Sequence, residues 1–240
     1  MGRANPRGLI LLDMKILAID TTINACSVAA VKADRSDIHL LAERHVPMAS
    51  GHAEALMALI DEVMGESGLI FTTLDRIAVT TGPGTFTGVR TGLASALGLS
   101  VATKCPVVGL TTFEAIATNT LAPEANPKAK PVTVAIDARR EEIYVQRFSK
   151  TLVPLSEPAV MSIAQARGMP AMTNALIIGT GARYLCDDEA PAGLQILPRA
   201  SVFAGRVASK PLSDTPPTPL YLRAPDAKPQ AALPNLQKTI

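Results

Sequence analysis

Arg76-Ile77-Ala78-Val79-Thr80-Thr81-Gly82-Pro83-Gly84-Thr85-Phe86-Thr87-Gly88 is the stretch whose reading decides the fold. Its first five residues pattern as a buried strand, and the glycines and proline then force a turn. A helix follows from Thr87 to about Lys104, and Pro106 permits its stop. Strand, tight turn and helix in direct succession are the unit of a layered α/β protein.

Upstream, Lys15 to Asp20 reads as a buried strand ending in an acid. Ala25 to Lys32 and Ile38 to Val46 are two further strands, and short turns make the three an antiparallel meander. Ser50 is placed to cap a helix running through Met64, with Gly65 or Gly68 as its stop. Its apolar residues include Leu56, Met57, Leu59, Ile60, Val63 and Met64, a stripe too wide for one buried side. Downstream, Val107 to Leu110 is a strand and Phe113 to about Thr120 a helix. The order βββαβαβα is that of a ribonuclease-H-like lobe.

Residues 122–131 are rich in Pro, Ala and Lys and read as a connector. Strand patterns restart at Pro131–Asp137 and Glu142–Phe148. Helices at Ser162–Gly168 and Ser201–Lys210 and a strand at Ala175–Ile178 complete a smaller lobe over 132–210. The expected fold class is therefore α/β: tandem ribonuclease-H-like lobes of the actin, Hsp70 and sugar-kinase type, the first over 14–121 and the second reduced. Residues 1–13 read as an N-terminal extension. Seven prolines from Pro211 onward exclude long regular elements, so 211–240 is expected to be a docked extended segment with a loose tail.

Composition bounds the function. Of 240 residues, 48% are hydrophobic and 18% charged, which suits a large core. Only 3% are aromatic and Trp is absent, so Ala, Leu, Ile and Val must build it. A net charge of +2 does not ask for a nucleic-acid partner. Cys26, Cys105 and Cys186 have no zinc or CxxC spacing and read as thiols in a reducing compartment. No apolar run reaches the roughly 20 residues of a membrane span. A cytoplasmic protein without membrane contact is expected.

Glycines 82, 84 and 88 let backbone N–H groups converge at a helix start, with Thr85 and Thr87 as added donors. That is an anion cradle, but no P-loop Lys follows, and a turn that binds nothing fits the residues equally well. Asp20-Thr21-Thr22 lies where this fold class contacts phosphate. The nucleotide or anion candidates are thus Asp20, Thr21, Thr22, Gly82, Gly84 and Thr85. A kinase or Hsp70-like turn would carry Gly where Thr22 stands, and no second carboxylate completes a metal set. His52 is a lone histidine, with no HxxxH or HExxH elsewhere, so a metallopeptidase is disfavoured. Asp137 to Glu142 reads as a charged hairpin, either solvated or at an interlobe rim. Gly88, Gly92, Ser95 and Leu99 share one helix face whose small residues would admit another backbone. Val89, Leu93, Ala96 and Val101 are expected to face the sheet instead.

Four motifs occur in order: Ile16 to Thr22, Gly82 to Arg90, Asp137 to Arg140 with Tyr144, and Leu220 to Arg223. Together they resemble the TsaB family, also called YeaZ, over about Met14 to Pro225. The resemblance implies a scaffold or dimerisation subunit in making threonylcarbamoyladenosine in tRNA. It implies a catalytic partner, TsaD, a third protein, the ATPase TsaE, a homodimer when the chain is alone, and tRNA contact through the complex. It implies no catalytic residue, no metal and no cofactor beyond weak nucleotide binding. TsaD-like chains carry an HxxxH where this chain has Thr112 and Ile116, and an acidic pair where it has Asn24 and Ala25. The family's interface, a four-helix bundle, maps onto Ser50–Met64 and Thr87–Lys104. The expected interface residues are His52, Leu56, Leu59, Ile60, Val63, Gly88, Gly92, Ser95 and Leu99. Gly92→Leu and Leu56→Asp are expected to abolish partner binding while leaving the monomer folded. An active ATPase or transferase of the same fold is the alternative.

Overall fold

The computed structural model describes residues 14–34, 37–122, 124–169, 174–186 and 196–223. The expected extension 1–13 and the tail beyond 223 lie outside them.

The first sheet is built from β1 (Met14–Asp20), β2 (Ala25–Ala33), β3 (Ile38–Pro47), β4 (Arg76–Thr80) and β5 (Val107–Leu110), in the order β3-β2-β1-β4-β5. β1, β2 and β3 are antiparallel, and β4 and β5 run parallel to β1. β1, β2 and β4 are buried almost throughout because both faces of this sheet are covered, whereas the edge strand β3 carries His39, Glu43, Arg44 and His45. Leu17 and Ile19 point to one side, and Ile16 and Ala18 to the other.

On the first side lie α1 (His52–Ser67) and α2 (Phe86–Thr103). α1 buries His52, Leu56, Ile60, Val63 and Met64, and α2 buries Gly88, Val89, Gly92, Leu93 and Ala96. Ser50 does not cap α1: the cap is Gly51, in the left-handed region at φ 85°. Gly68 ends α1 as expected, and α2 starts at Phe86 with Thr85 as its cap.

On the second side lies a helix that the sequence reading gave to the other lobe. Ala200–Ala208 inserts Ala200, Phe203, Ala204 and Val207 between Ile16, Ala18, Ala29 and Val31. The boundary at 132–210 is therefore corrected, since this helix completes the first lobe. Its apolar period was legible, but which sheet would take it was not. Ser27 Oγ accepts from Ala200 N at 2.9 Å, and Glu43 Oε1 accepts from Ser201 N and Oγ. Arg76 donates to the Val207 and Lys210 carbonyls at its other end. Both helix termini thus find partners on the first sheet.

The helix α3 (Thr112–Thr118) is closed by a capping box between Thr111 and Glu114. It packs on the second sheet, where Phe113, Ile116 and Ala117 meet Val132, Val134, Ile136 and Phe148. That sheet contains β6 (Val132–Asp137), β7 (Glu142–Phe148), β8 (Ala159–Ser162) and β9 (Leu176–Ile178), in the order β8-β7-β6-β9. β8 was missed, being four half-buried residues beside a proline-rich stretch. α4 (Ile163–Arg167) covers the outer face through Ala166, and α5 is the Ala200–Ala208 helix just described.

The second sheet repeats the first: an antiparallel meander, a helix, and a strand returning parallel beside the meander's first. The last strand of the first sheet has no counterpart among the described residues. These are tandem ribonuclease-H-like lobes of the actin-like class, with the second reduced. No helix of the described residues is long and apolar enough to cross a membrane.

Candidate functional site

Asp20 closes β1, and Thr80 closes the neighbouring β4. Asp20 is fully buried. Its Oδ1 accepts from Thr22 Oγ1 and Thr80 Oγ1, each at 2.6 Å, and from Thr22 N at 3.3 Å. Its Oδ2 has no hydrogen-bond partner. Burial pushes the carboxyl up to about 6, against the three hydrogen bonds that favour its ionised form. Cys26 is pushed up to about 11, by burial and by the nearby Asp20 charge.

The two turns proposed as a phosphate cradle are zipped to each other. Thr85 N donates to Thr22 O at 2.7 Å, and Thr21 Oγ1 donates to Gly88 O at 2.6 Å. A Cβ on Gly84 would stand 2.1 Å from Thr22 O, and one on Gly88 would stand 2.0 Å from Thr21 O. The glycines are therefore needed so that one backbone can touch another. Gly88 N, a donor that a cradle would use, is taken by Thr85 Oγ1. Gly82 lies at φ 100° and precedes a cis peptide bond to Pro83.

Contacts within the chain also account for most of the expected partner face. A Cβ on Gly92 would meet Thr21 Oγ1 at 2.6 Å, so this face of α2 packs on the Asp20 turn. Ser95 and Leu99 are half-buried, and Leu99 joins the core beneath α2. Leu56, Ile60 and Val63 are fully buried. Leu59 is half-buried against the same core. His52 donates from Nε2 to the Ile23 carbonyl at 2.9 Å, which fixes the start of α1 to the β1–β2 turn. The expectation that Gly92→Leu and Leu56→Asp spare the monomer is corrected: both would disrupt the first lobe itself. Val101, expected on the sheet, is 72% exposed.

The two helices do present an outward side. On α1 it holds Ala53, Met57, Ala58 and Asp61; on α2 it holds Arg90, Ala94, Gly98 and Val101. Met57 is half exposed, and nothing lies near a Cβ built on Gly98. The exposed surface is again rich in small and apolar residues, but it lies on the far side of each helix from the expected face.

At the head of α2, the Arg90 guanidinium lies 3.5 Å over the Phe86 ring, which stacks on Tyr221 at 5.7 Å. Arg90 Nε donates to the Tyr221 hydroxyl at 2.9 Å. Sequence reasoning marked Leu220 to Arg223 as a motif but gave it no contact.

The hairpin between β6 and β7 is tightly wound, with Arg139, Arg140 and Glu141 all at positive φ, between 55° and 63°. Asp137 anchors it: Oδ1 accepts from Arg139 N, and Oδ2 from Arg183 and Tyr184. Thr112 and Ile116 are buried at the start and middle of α3.

Comparison with known proteins follows this geometry. The family described as "TsaD: tRNA N6-adenosine threonylcarbamoyltransferase" matches residues 46–188. A Mycobacterium tuberculosis protein described as uncharacterized is 34% identical over 216 residues, 90% of this chain and 95% of that one. The tRNA threonylcarbamoyladenosine biosynthesis protein TsaB of Haemophilus influenzae is 32% identical over 181 residues, 70% of this chain and 73% of that one. The solved structure of YeaZ from Pseudomonas aeruginosa superposes with a TM-score of 0.68 at 25% identity, covering 87% of this chain and all of that one. With the repeated lobes and the zipped glycine-rich turn, these matches establish that the chain belongs to the TsaB (YeaZ) family.

Proposed function

We propose that this chain is the non-catalytic scaffold subunit of the tRNA N6-threonylcarbamoyladenosine machinery, and that it binds a TsaD-type catalytic subunit. Membership of the TsaB family carries the role in tRNA threonylcarbamoyladenosine biosynthesis. The scaffold role rests on one observation above the others: the Asp20 turn and the Gly82–Gly88 turn are packed against each other, backbone to backbone. In an enzyme of this architecture, those turns would have to hold phosphate between them. Here Asp20 is sealed, and Thr22 folds its hydroxyl back onto it. Nucleotide binding, if measured, is weak.

The partner site is the outward side of α1 and α2, centred on Met57, Ala94, Gly98 and Val101. Small residues there allow a second helix pair to approach closely. TsaE and tRNA join through the TsaD-bearing complex, and the free chain pairs with itself through the same side. The assembly is cytoplasmic.

An omission series tests this reading. Purified chain, TsaD and TsaE are combined with unmodified tRNA, ATP and an activated threonylcarbamoyl donor, and threonylcarbamoyladenosine is measured with each protein left out in turn. Modification should require this chain together with TsaD, and the chain alone should neither modify tRNA nor turn over ATP. Robust ATP turnover by the chain alone, lost in Asp20→Ala, would replace this reading with an active ATPase.

A further inference from the structure

The proline-rich segment after α5 does not simply trail across the surface. Lys210 Nζ pairs with Glu114 at 2.9 Å, and Pro217 packs over Gly109, where a Cβ would be only 2.7 Å away. Leu220 N then donates to Thr81 O at 2.7 Å, joining the segment to the end of β4. A Cβ on Gly82 would stand 3.0 Å from Leu220 O.

The next three residues cross between lobes. Tyr221 stacks on Phe86 and accepts from Arg90, both on the first turns of α2. Leu222 enters the junction core beside Ile23, Phe113 and Val132. Arg223 Nη1 donates to Ala138 O at 3.0 Å, and its Nη2 binds the Glu142 carboxylate. Those last two partners sit in the β6–β7 hairpin of the second lobe.

From this we infer that Leu220–Arg223 is a clasp that sets the angle between the lobes and couples the head of α2 to the second sheet. Consecutive residues grip the two bodies, so neither can rotate without breaking a grip. The grips are polar or half exposed: Phe86 and Tyr221 keep about half their surface in water. Each such contact contributes little net stability, so the clasp opens at far lower cost than either sheet unfolds. The cores on both sheets close without Tyr221 or Arg223, the inner face of the second sheet being covered by α3. The inference concerns the free chain and does not depend on the partner assignment.

Spin labels at two exposed positions, one per lobe, test it in the full-length chain. Thr72→Cys and Lys150→Cys are introduced with Cys186→Ser, and the labelled chain is diluted in unlabelled chain so that only distances within one copy are read; Cys26 and Cys105 are buried. With the native clasp, the pulsed-resonance distance distribution should be single and narrow. Tyr221→Ala with Arg223→Ala should broaden it and shift it to longer distances, with far-ultraviolet circular dichroism unchanged. Arg223→Ala alone, which leaves the α2 contacts intact, should broaden it in the same direction. A distribution as narrow as the native one in either variant overturns the clasp. Loss of folding in Arg223→Ala also overturns it, because the segment would then belong to a lobe's core.

Discussion

Asp20 carries a destabilising charge that the fold tolerates. Its ordinary value of 3.8 rises to about 6 on burial. Between those values the folded chain holds a proton that the unfolded chain has released, so stability falls as pH rises through this window. Above about 6 the full penalty is present, on the order of 3 kcal/mol. Asp20→Asn keeps an acceptor for Thr22 and Thr80 and removes the charge. Its denaturant midpoint at pH 8 should exceed the native one, and the slope between pH 4 and 6 should flatten. A lower midpoint at pH 8 would show that the carboxylate is held by something beyond those two hydroxyls. Gly84 makes a second residue-scale prediction. Gly84→Ala drives a methyl into Thr22 O and should cost about 3 kcal/mol or more, measured by urea unfolding. A small effect there would mean that the two turns can separate, as a phosphate site requires.

Among the elements, α1 and α2 divide their residues between core and surface, and mutations should follow that division. Leu56→Ala opens a cavity between α1 and the sheet and should cost about 2–5 kcal/mol, whatever partner is present. Met57→Asp, one residue on, should leave the melting temperature nearly unchanged. Ser27→Ala leaves Ala200 N without its buried acceptor and should cost about 1–3 kcal/mol. Hydrogen exchange should then speed up along α5 and not along α4, which rests on the other sheet. Faster exchange in α4 instead would contradict the assignment of α5 to the first lobe.

The elements also show what could be read in the chain. The meander, both α/β units and the hairpin of the second lobe were legible, since each follows from local period and turn chemistry. The face of α2 was not. Gly88 and Gly92 are small because the Asp20 turn presses on them, whereas small residues are equally what a partner helix requires. Sequence spacing cannot separate these causes. The attachment of α5 was hidden for a similar reason: an amphipathic helix shows which side it buries, not which sheet receives it.

Over the whole molecule, the chain carries one lobe plan twice, reduced in the second copy. The turns that would face a nucleotide are bound to one another, and the C-terminal segment ties both lobes together. The surface proposed for a partner is the outward side of the helix pair. Met57, Ala94 and Val101 lie there, exposed to solvent. The direct measurement is the affinity of this chain for a TsaD-type subunit, by titration or size-exclusion chromatography, in the native protein and in Met57→Asp and Val101→Asp. The native chain should form a stable complex. Each variant should stay folded and bind about a hundredfold more weakly, because a charge would be buried without a partner. Undiminished binding by both folded variants would contradict the account.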